Sequence, residues 1–128
     1  MSFSQTNRCI LIIDDEPDLC RIVKVTLERF KGWEVFTTES AQVGLTQAQT
    51  QQPDAILLDL TLPGENGLTL LQTLKTNPTT QSIPVILFTA TDLSDDSLKF
   101  DPSDIAGVIL KPFNILQIAE QITEQLGW

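Results

Sequence analysis

At 128 residues and 41% hydrophobic, the chain can bury roughly two-thirds of its unfolded surface in one core and is too short for a second domain. It carries 17 acidic against 8 basic side chains, a net charge of -9, which opposes nucleic acid and favours cations or basic protein surfaces. No histidine is present, so hydrolase triads, phosphohistidine formation within the chain and an ordinary zinc site are excluded.

Cys9 and Cys20 read as small core residues, without a redox role. No run of about 18 apolar residues exists, and the polar start from Met1 to Asn7 lacks the regions of a signal peptide. A soluble, cytoplasmic protein with no membrane contact is expected, organised as one domain over 1–128 with 1–7 as a polar extension.

Strand and helix alternate strictly. Cys9-Ile10-Leu11-Ile12-Ile13 is continuous and rich in β-branching, as a central strand should be, and it stops at Asp14-Asp15-Glu16-Pro17. Pro17 suits a first helical turn, with Leu19, Ile22, Val23, Leu27 and Phe30 recurring as a buried face and Gly32 ending the helix. Trp33 to Thr38 alternates weakly and predicts a strand near an edge. Ser40 is a plausible N-cap for a polar helix through about Gln51.

The next run, Asp54-Ala55-Ile56-Leu57-Leu58-Asp59, organises the rest. It predicts a strand buried on both faces, ending on a carboxylate and breaking into a turn at Pro63, Gly64 and Gly67. Taken alone, Asp59 serves equally well as a cap of that turn. A helix from about Gly67 turns Leu68, Leu70, Leu71 and Leu74 inward and ends before Asn77-Pro78. Pro84 to Thr89 is a fourth strand. Between Thr91 and Asp104 the signals conflict: Ser94 or Asp95 starts a short helix carrying Leu98, and Pro102 stops it. Ala106 to Leu110 is the fifth strand, halted by Lys111-Pro112. Asn114 then caps a last helix with Ile115, Ile118, Ala119, Ile122 and Leu126 inward and Gly127 at its end.

Parallel strands joined by right-handed crossovers form a three-layer sandwich with every carboxyl end on one rim. That rim receives Asp14 and Asp15, Asp59, Thr89 and Lys111. Clustered carboxylates repel unless a cation joins them, and an all-oxygen set favours Mg²⁺. Lys111 can balance an incoming phosphoryl group, and the Thr89 hydroxyl can donate to one of its oxygens. The set suits phosphoryl transfer onto a carboxylate, with Asp59 the best nucleophile.

At these residues the chain resembles the receiver domain of two-component response regulators, from about Arg8 to Leu126. The acidic pair matches Asp14-Asp15, the phosphoacceptor matches Asp59, and the loop pattern matches Pro63 and Gly67. Thr89-Ala90 and Lys111-Pro112-Phe113 complete the likeness. The resemblance implies a flavodoxin-like sheet of five strands in order 2-1-3-4-5 with five helices. It implies phosphorylation of Asp59 by a histidine kinase or histidine phosphotransfer protein, with Mg²⁺ held by Asp15, Asp59 and the Thr61 carbonyl, and Asp14 acting largely through water. Thr89 would turn toward the phosphoryl group and shift an equilibrium on the face of the fourth helix, fifth strand and fifth helix, altering binding of a downstream protein. Thr61 and Thr91 occupy positions that tune acyl-phosphate lifetime in the family, or are solvated loop threonines. No enzymatic activity is expected beyond self-phosphorylation from a donor and autodephosphorylation.

Two departures stand against that pattern. Val108 occupies the usual place of an aromatic switch residue, and Asp101-Pro102-Ser103-Asp104 replaces the usual end of the fourth helix. The alternative reading is a phosphorylation-independent protein-binding module on the same fold; a flavodoxin-like enzyme is disfavoured because Asp14-Asp15-Glu16 would repel a phosphate. Exterior Val25 and Leu116 mark either a partner or homodimer surface or isolated exposed apolar residues. With Trp128 directly after the last helix, both a stand-alone regulator and an excised receiver remain open.

Overall fold

In the computed structural model, residues 8–62, 67–90 and 101–128 are described. β1 (Cys9–Ile13), β3 (Ala55–Leu58) and β4 (Val85–Thr89) are unbroken apolar runs buried almost throughout, whereas β2 (Glu34–Thr38) and β5 (Gly107–Leu110) keep exposed positions. Strands buried on both faces belong in the middle of a parallel sheet and mixed strands at its edges. The observed order, β2-β1-β3-β4-β5 with all pairs parallel, follows that rule and is the flavodoxin-like order expected.

Side chains alternate across this sheet and build a core on each face. Ile10, Ile12, Leu57, Ile86, Phe88 and Ile109 point to one side, where Val23 and Leu27 of α1 (Pro17–Lys31) and Ile118 and Ile122 of α4 (Ile118–Leu126) cover them. Leu11, Ile13, Ile56, Leu58, Val85 and Leu87 point to the other, against Ala48 of α2 (Ala41–Gln51) and Leu70, Leu71 and Leu74 of α3 (Gly67–Thr76). The caps follow local chemistry. Ser40 accepts from the Val43 N–H at 3.2 Å, and Gly32 closes α1 at φ 68°, in the left-handed region that a side chain would resist.

Four expectations need correction or restriction. Ile22 and Phe30, read as part of the inward face of α1, are 52% and 70% exposed. The sheet accepts only the stripe of Cys20, Val23 and Leu27; the flank with Ile22 and Phe30 borders open grooves toward the turn at Ile115 and α4. Asn114 caps a short 3-10 turn, Ile115–Gln117, rather than the helix itself, which begins at Ile118. Cys9 is only half-buried, because it begins its strand at the sheet's lower edge. Four α-helices occur among the described residues, and the short helix expected around Ser94 or Asp95 lies outside them, as do the 1–7 extension and Pro63. Val25 and Leu116 are exposed as expected, at 43% and 74%.

Candidate functional site

Because every strand runs the same way, the residue that ends each one lands on a single rim. Hydrogen bonds extending the sheet ladder fix three of them: the Asp14 N–H donates to the Thr38 carbonyl, the Asp59 N–H to Ile13 and the Lys111 N–H to Thr89, each at 3.0 Å. Thr89 itself closes β4 and is fully buried. The Lys111–Pro112 peptide that follows β5 is cis.

Lys111 is the hub of the site. Its ammonium donates to Asp14 Oδ2 at 2.6 Å, to Glu16 Oε1 at 2.9 Å and to Asp59 Oδ2 at 3.3 Å. An ammonium has three hydrogens, so all of them meet carboxylates. The Lys111 side chain is 10% exposed, and those of Asp14 and Asp59 are 0% and 2% exposed, which places these ion pairs out of bulk water. Beneath the ammonium lies the Phe88 ring, 5.2 Å from its centroid, itself tilted against Phe113 at 5.0 Å.

The remaining oxygens are also engaged. Asp59 Oδ1 accepts from both the N–H and the hydroxyl of Thr61 at 3.0 Å, so Asp59 caps its turn as well as facing the cluster. Asp14 Oδ1 accepts the Glu16 N–H at 2.9 Å. Burial pushes the Asp14 carboxyl above the usual carboxylate range, opposed by the Lys111 and Glu16 hydrogen bonds and reinforced by the Asp59 charge. Burial would lower the Lys111 ammonium, but its bonds to Asp14 and Glu16 and the charges of Asp14 and Asp59 win and hold it above the lysine range.

Gly67 shapes the acceptor loop from outside. A Cβ there would lie 2.5 Å from Leu60 Cα, 2.7 Å from the Leu60 carbonyl oxygen and 2.8 Å from that of Asp59, all backbone atoms that cannot swing aside. The Gly67 N–H donates to the Leu60 carbonyl at 3.2 Å, so the start of α3 sits directly on the segment that follows Asp59.

Asp14, Asp15, Glu16 and Asp59 each offer a carboxylate oxygen, all within 4.8 Å of one another. Four carboxylates facing one ammonium leave excess negative charge, and an all-oxygen donor set on the sheet rim fits a hard divalent cation such as Mg²⁺. The structure thus brings together Asp14, Asp15, Asp59, Thr61 and Lys111 and places Thr89 at the same rim, while Thr91 lies outside the described residues. Sequence reasoning missed Glu16. Its signal was a third carboxylate next to the acidic pair, ahead of Pro17 at the first helical position.

A family model, the response regulator receiver domain, matches residues 10–123. This chain belongs to that family. Receiver domains serve two-component systems, interact with histidine kinases or phosphotransfer partners and bind Mg²⁺ at an acidic site. Among relatives of this receiver, the probable transcriptional regulatory protein TcrX of Mycobacterium tuberculosis is 34% identical over 110 residues, covering 85% of this chain and 45% of its own length. The phosphate regulon transcriptional regulatory protein PhoB of Pseudomonas aeruginosa is 32% identical over 115 residues, covering 90% of this chain and 50% of its own. The receiver therefore spans about half the length of these relatives.

Solved structures agree on the fold. A CheY-like receiver domain protein from Methanospirillum hungatei superposes with a TM-score of 0.81 at 28% identity, covering 94% of each chain. The receiver domain of sensor histidine kinase PA1611 from Pseudomonas aeruginosa, solved with magnesium ion coordinated in its active site cleft, has a TM-score of 0.81 at 22% identity, covering 95% of this chain and 99% of that one. No helix among the described residues is long and apolar enough to cross a membrane.

Proposed function

We propose that this receiver is a phosphoacceptor in which Asp59 takes a phosphoryl group from a phosphohistidine on a histidine kinase or phosphotransfer protein. The observation that carries the reading is the pair of buried carboxylates, Asp14 and Asp59, sharing the single ammonium of Lys111 at the carboxyl rim of the sheet. Two buried carboxylates on one cation are costly for stability alone and are explained by chemistry that uses them.

Asp15, Asp59 and the Thr61 carbonyl would hold Mg²⁺, with Asp14 contributing through water. Bound there, the ion would neutralise charge between the Asp59 carboxylate and the phosphoryl oxygens. The chain's own residues supply the rest. An Asp59 carboxylate oxygen forms the new O–P bond as the donor's P–N bond breaks; the electron pair leaves with the imidazole, which takes a proton from solvent. Lys111 pairs with the developing phosphoryl charge, and Thr89 offers its hydroxyl to a phosphoryl oxygen. Added charge of nearly two units then biases the surface seen by a downstream partner. Val108 is half-buried on β5 and aliphatic, so the side chain at that position offers no aromatic ring to flip with that change.

Intact-protein mass after incubation with acetyl phosphate decides the matter. With Mg²⁺ the mass should rise by one phosphoryl group; with excess chelator, and in Asp59→Asn, it should not. A retained gain in Asp59→Asn would move the acceptor elsewhere. No gain from either acetyl phosphate or a phosphohistidine donor would favour the phosphorylation-independent binding module.

A further inference from the structure

We propose that Glu16 is a positioning residue: its carboxylate occupies a Lys111 hydrogen that a phosphoryl oxygen must claim, and so acts as an intramolecular competitor of the phosphoryl group. The inference rests on Asp59 being the phosphoacceptor.

The Lys111 ammonium meets Asp14 at 2.6 Å, Glu16 at 2.9 Å and Asp59 at 3.3 Å, so the acceptor is its most distant partner. With all three hydrogens committed, Lys111 can pair with a phosphoryl oxygen only by trading a carboxylate. The three are not equally exchangeable. Asp14 is fully buried, and leaving its charge unpaired there is strongly unfavourable. Asp59 is the atom source of the new bond and carries the phosphoryl group itself. Glu16 is 56% exposed, so water re-solvates its carboxylate readily once it lets go. Glu16 and Lys111 also stand together on the wall of an open groove of about 480 Å³ that Leu19, Ile22, Pro112 and Phe113 line, so the released side chain has room to swing away.

Release costs little because the pair is exposed on one side, and removing it should be felt as a small, specific gain. In Glu16→Ala the Asp59–phosphoryl bond should form roughly two- to fivefold faster from acetyl phosphate, whose P–O bond to acetate breaks in the same step. Loss of general repulsion between Glu16 and an anionic donor would also speed the reaction, and two comparisons separate the effects. Glu16→Asp keeps the charge but is one methylene too short to reach Lys111, so it should behave like Glu16→Ala; behaviour like the wild type would overturn the proposal. In a Lys111→Ala background, Glu16→Ala should change the rate by less than about 1.5-fold, since coupled residues are non-additive; a full acceleration there would equally overturn it. The Glu16→Asp comparison stands even where Lys111→Ala fails to fold. Absence of any phosphorylation in the wild type would instead sink the phosphoacceptor reading, so the two failures are distinguishable.

Discussion

At the scale of single residues, the site imposes a pH signature through its neighbour Cys20. The thiol is 4% exposed, sits under the site and points its sulfur at the Asp14 carbonyl at 3.7 Å. Burial first, and then the Asp14 charge, push it from 9.0 up to about 12, only partly offset by Lys111. The folded protein therefore holds this proton over a range in which the unfolded chain has lost it. Stability from Cys20 is fully present below about pH 9 and declines as pH rises, by about 1.4 kcal/mol per unit. Urea unfolding of the wild type should lose about 1 kcal/mol more between pH 9 and pH 10 than Cys20→Ala does, because the unfolded thiol is still half protonated at pH 9 and the full slope is reached only above it. Parallel curves for the two proteins would show the thiol to be unperturbed. Lys111, also raised, acts with the same sign but only above about pH 10.4, so the comparison isolates the thiol. Which residues meet at the rim was legible in the sequence because each is where an apolar run stops: Asp14 after Ile13, Asp59 after Leu58, Lys111 after Leu110. Glu16 was not, because its partner lies 95 residues away at the end of an edge strand, and only the shared carboxyl rim, with the long Lys111 side chain reaching past the ends of β4 and β3, brings the two together.

At the scale of elements, the acceptor loop is held by the helix that follows it. Gly67 allows α3 to start against the backbone of Asp59 and Leu60, and a methyl group there has no flexible neighbour to displace. Gly67→Ala should lower stability by about 1–3 kcal/mol through overpacking and also weaken Mg²⁺ binding and slow Asp59 phosphorylation, because the loop itself must move. Gly44→Ala offers the contrast. Its new methyl meets mainly the side chain of Ile13, so its cost should appear in stability with little change in phosphorylation. If both variants phosphorylated at the wild-type rate, the contact between α3 and the loop would have no functional weight. Element order and strand burial were plain from the sequence, since runs such as Ile10 to Ile13 admit no other placement. The width of a helix's buried stripe was not. Periodicity put Ile22 and Phe30 with Val23 and Leu27, but how much of that face finds a partner depends on the spacing between α1 and α4, which no local pattern encodes.

For the whole molecule, the sheet separates two ends with different tasks. The rim at the carboxyl ends gathers the charges, while the opposite rim is closed by an aromatic clamp: Trp33, just before β2, meets Trp128 edge-on at 5.3 Å, and the Arg8 guanidinium lies 4.4 Å from the centre of the Trp128 ring. Arg8 precedes β1 and Trp128 follows α4, so the clamp ties the described start of the sheet to the end of the last helix. Strands of five residues put roughly 16 Å between the two rims, too far for a bound cation to touch either indole. Both tryptophans of the chain are in this clamp. On the proposed function, Mg²⁺ should therefore leave tryptophan emission of the folded protein nearly unchanged while it raises stability. At a concentration of about 100 times its dissociation constant the gain should be about 2.7 kcal/mol, seen as a shift of the unfolding midpoint. Asp59→Asn should lose most of that shift, because one of the charges that make the rim attractive to a cation is gone. A large change in emission, with a midpoint shift that Asp59→Asn keeps in full, would place the cation at the wrong end of the sheet, beside Glu34 and Asp54 near the start of β1, and would detach it from the phosphoacceptor site altogether.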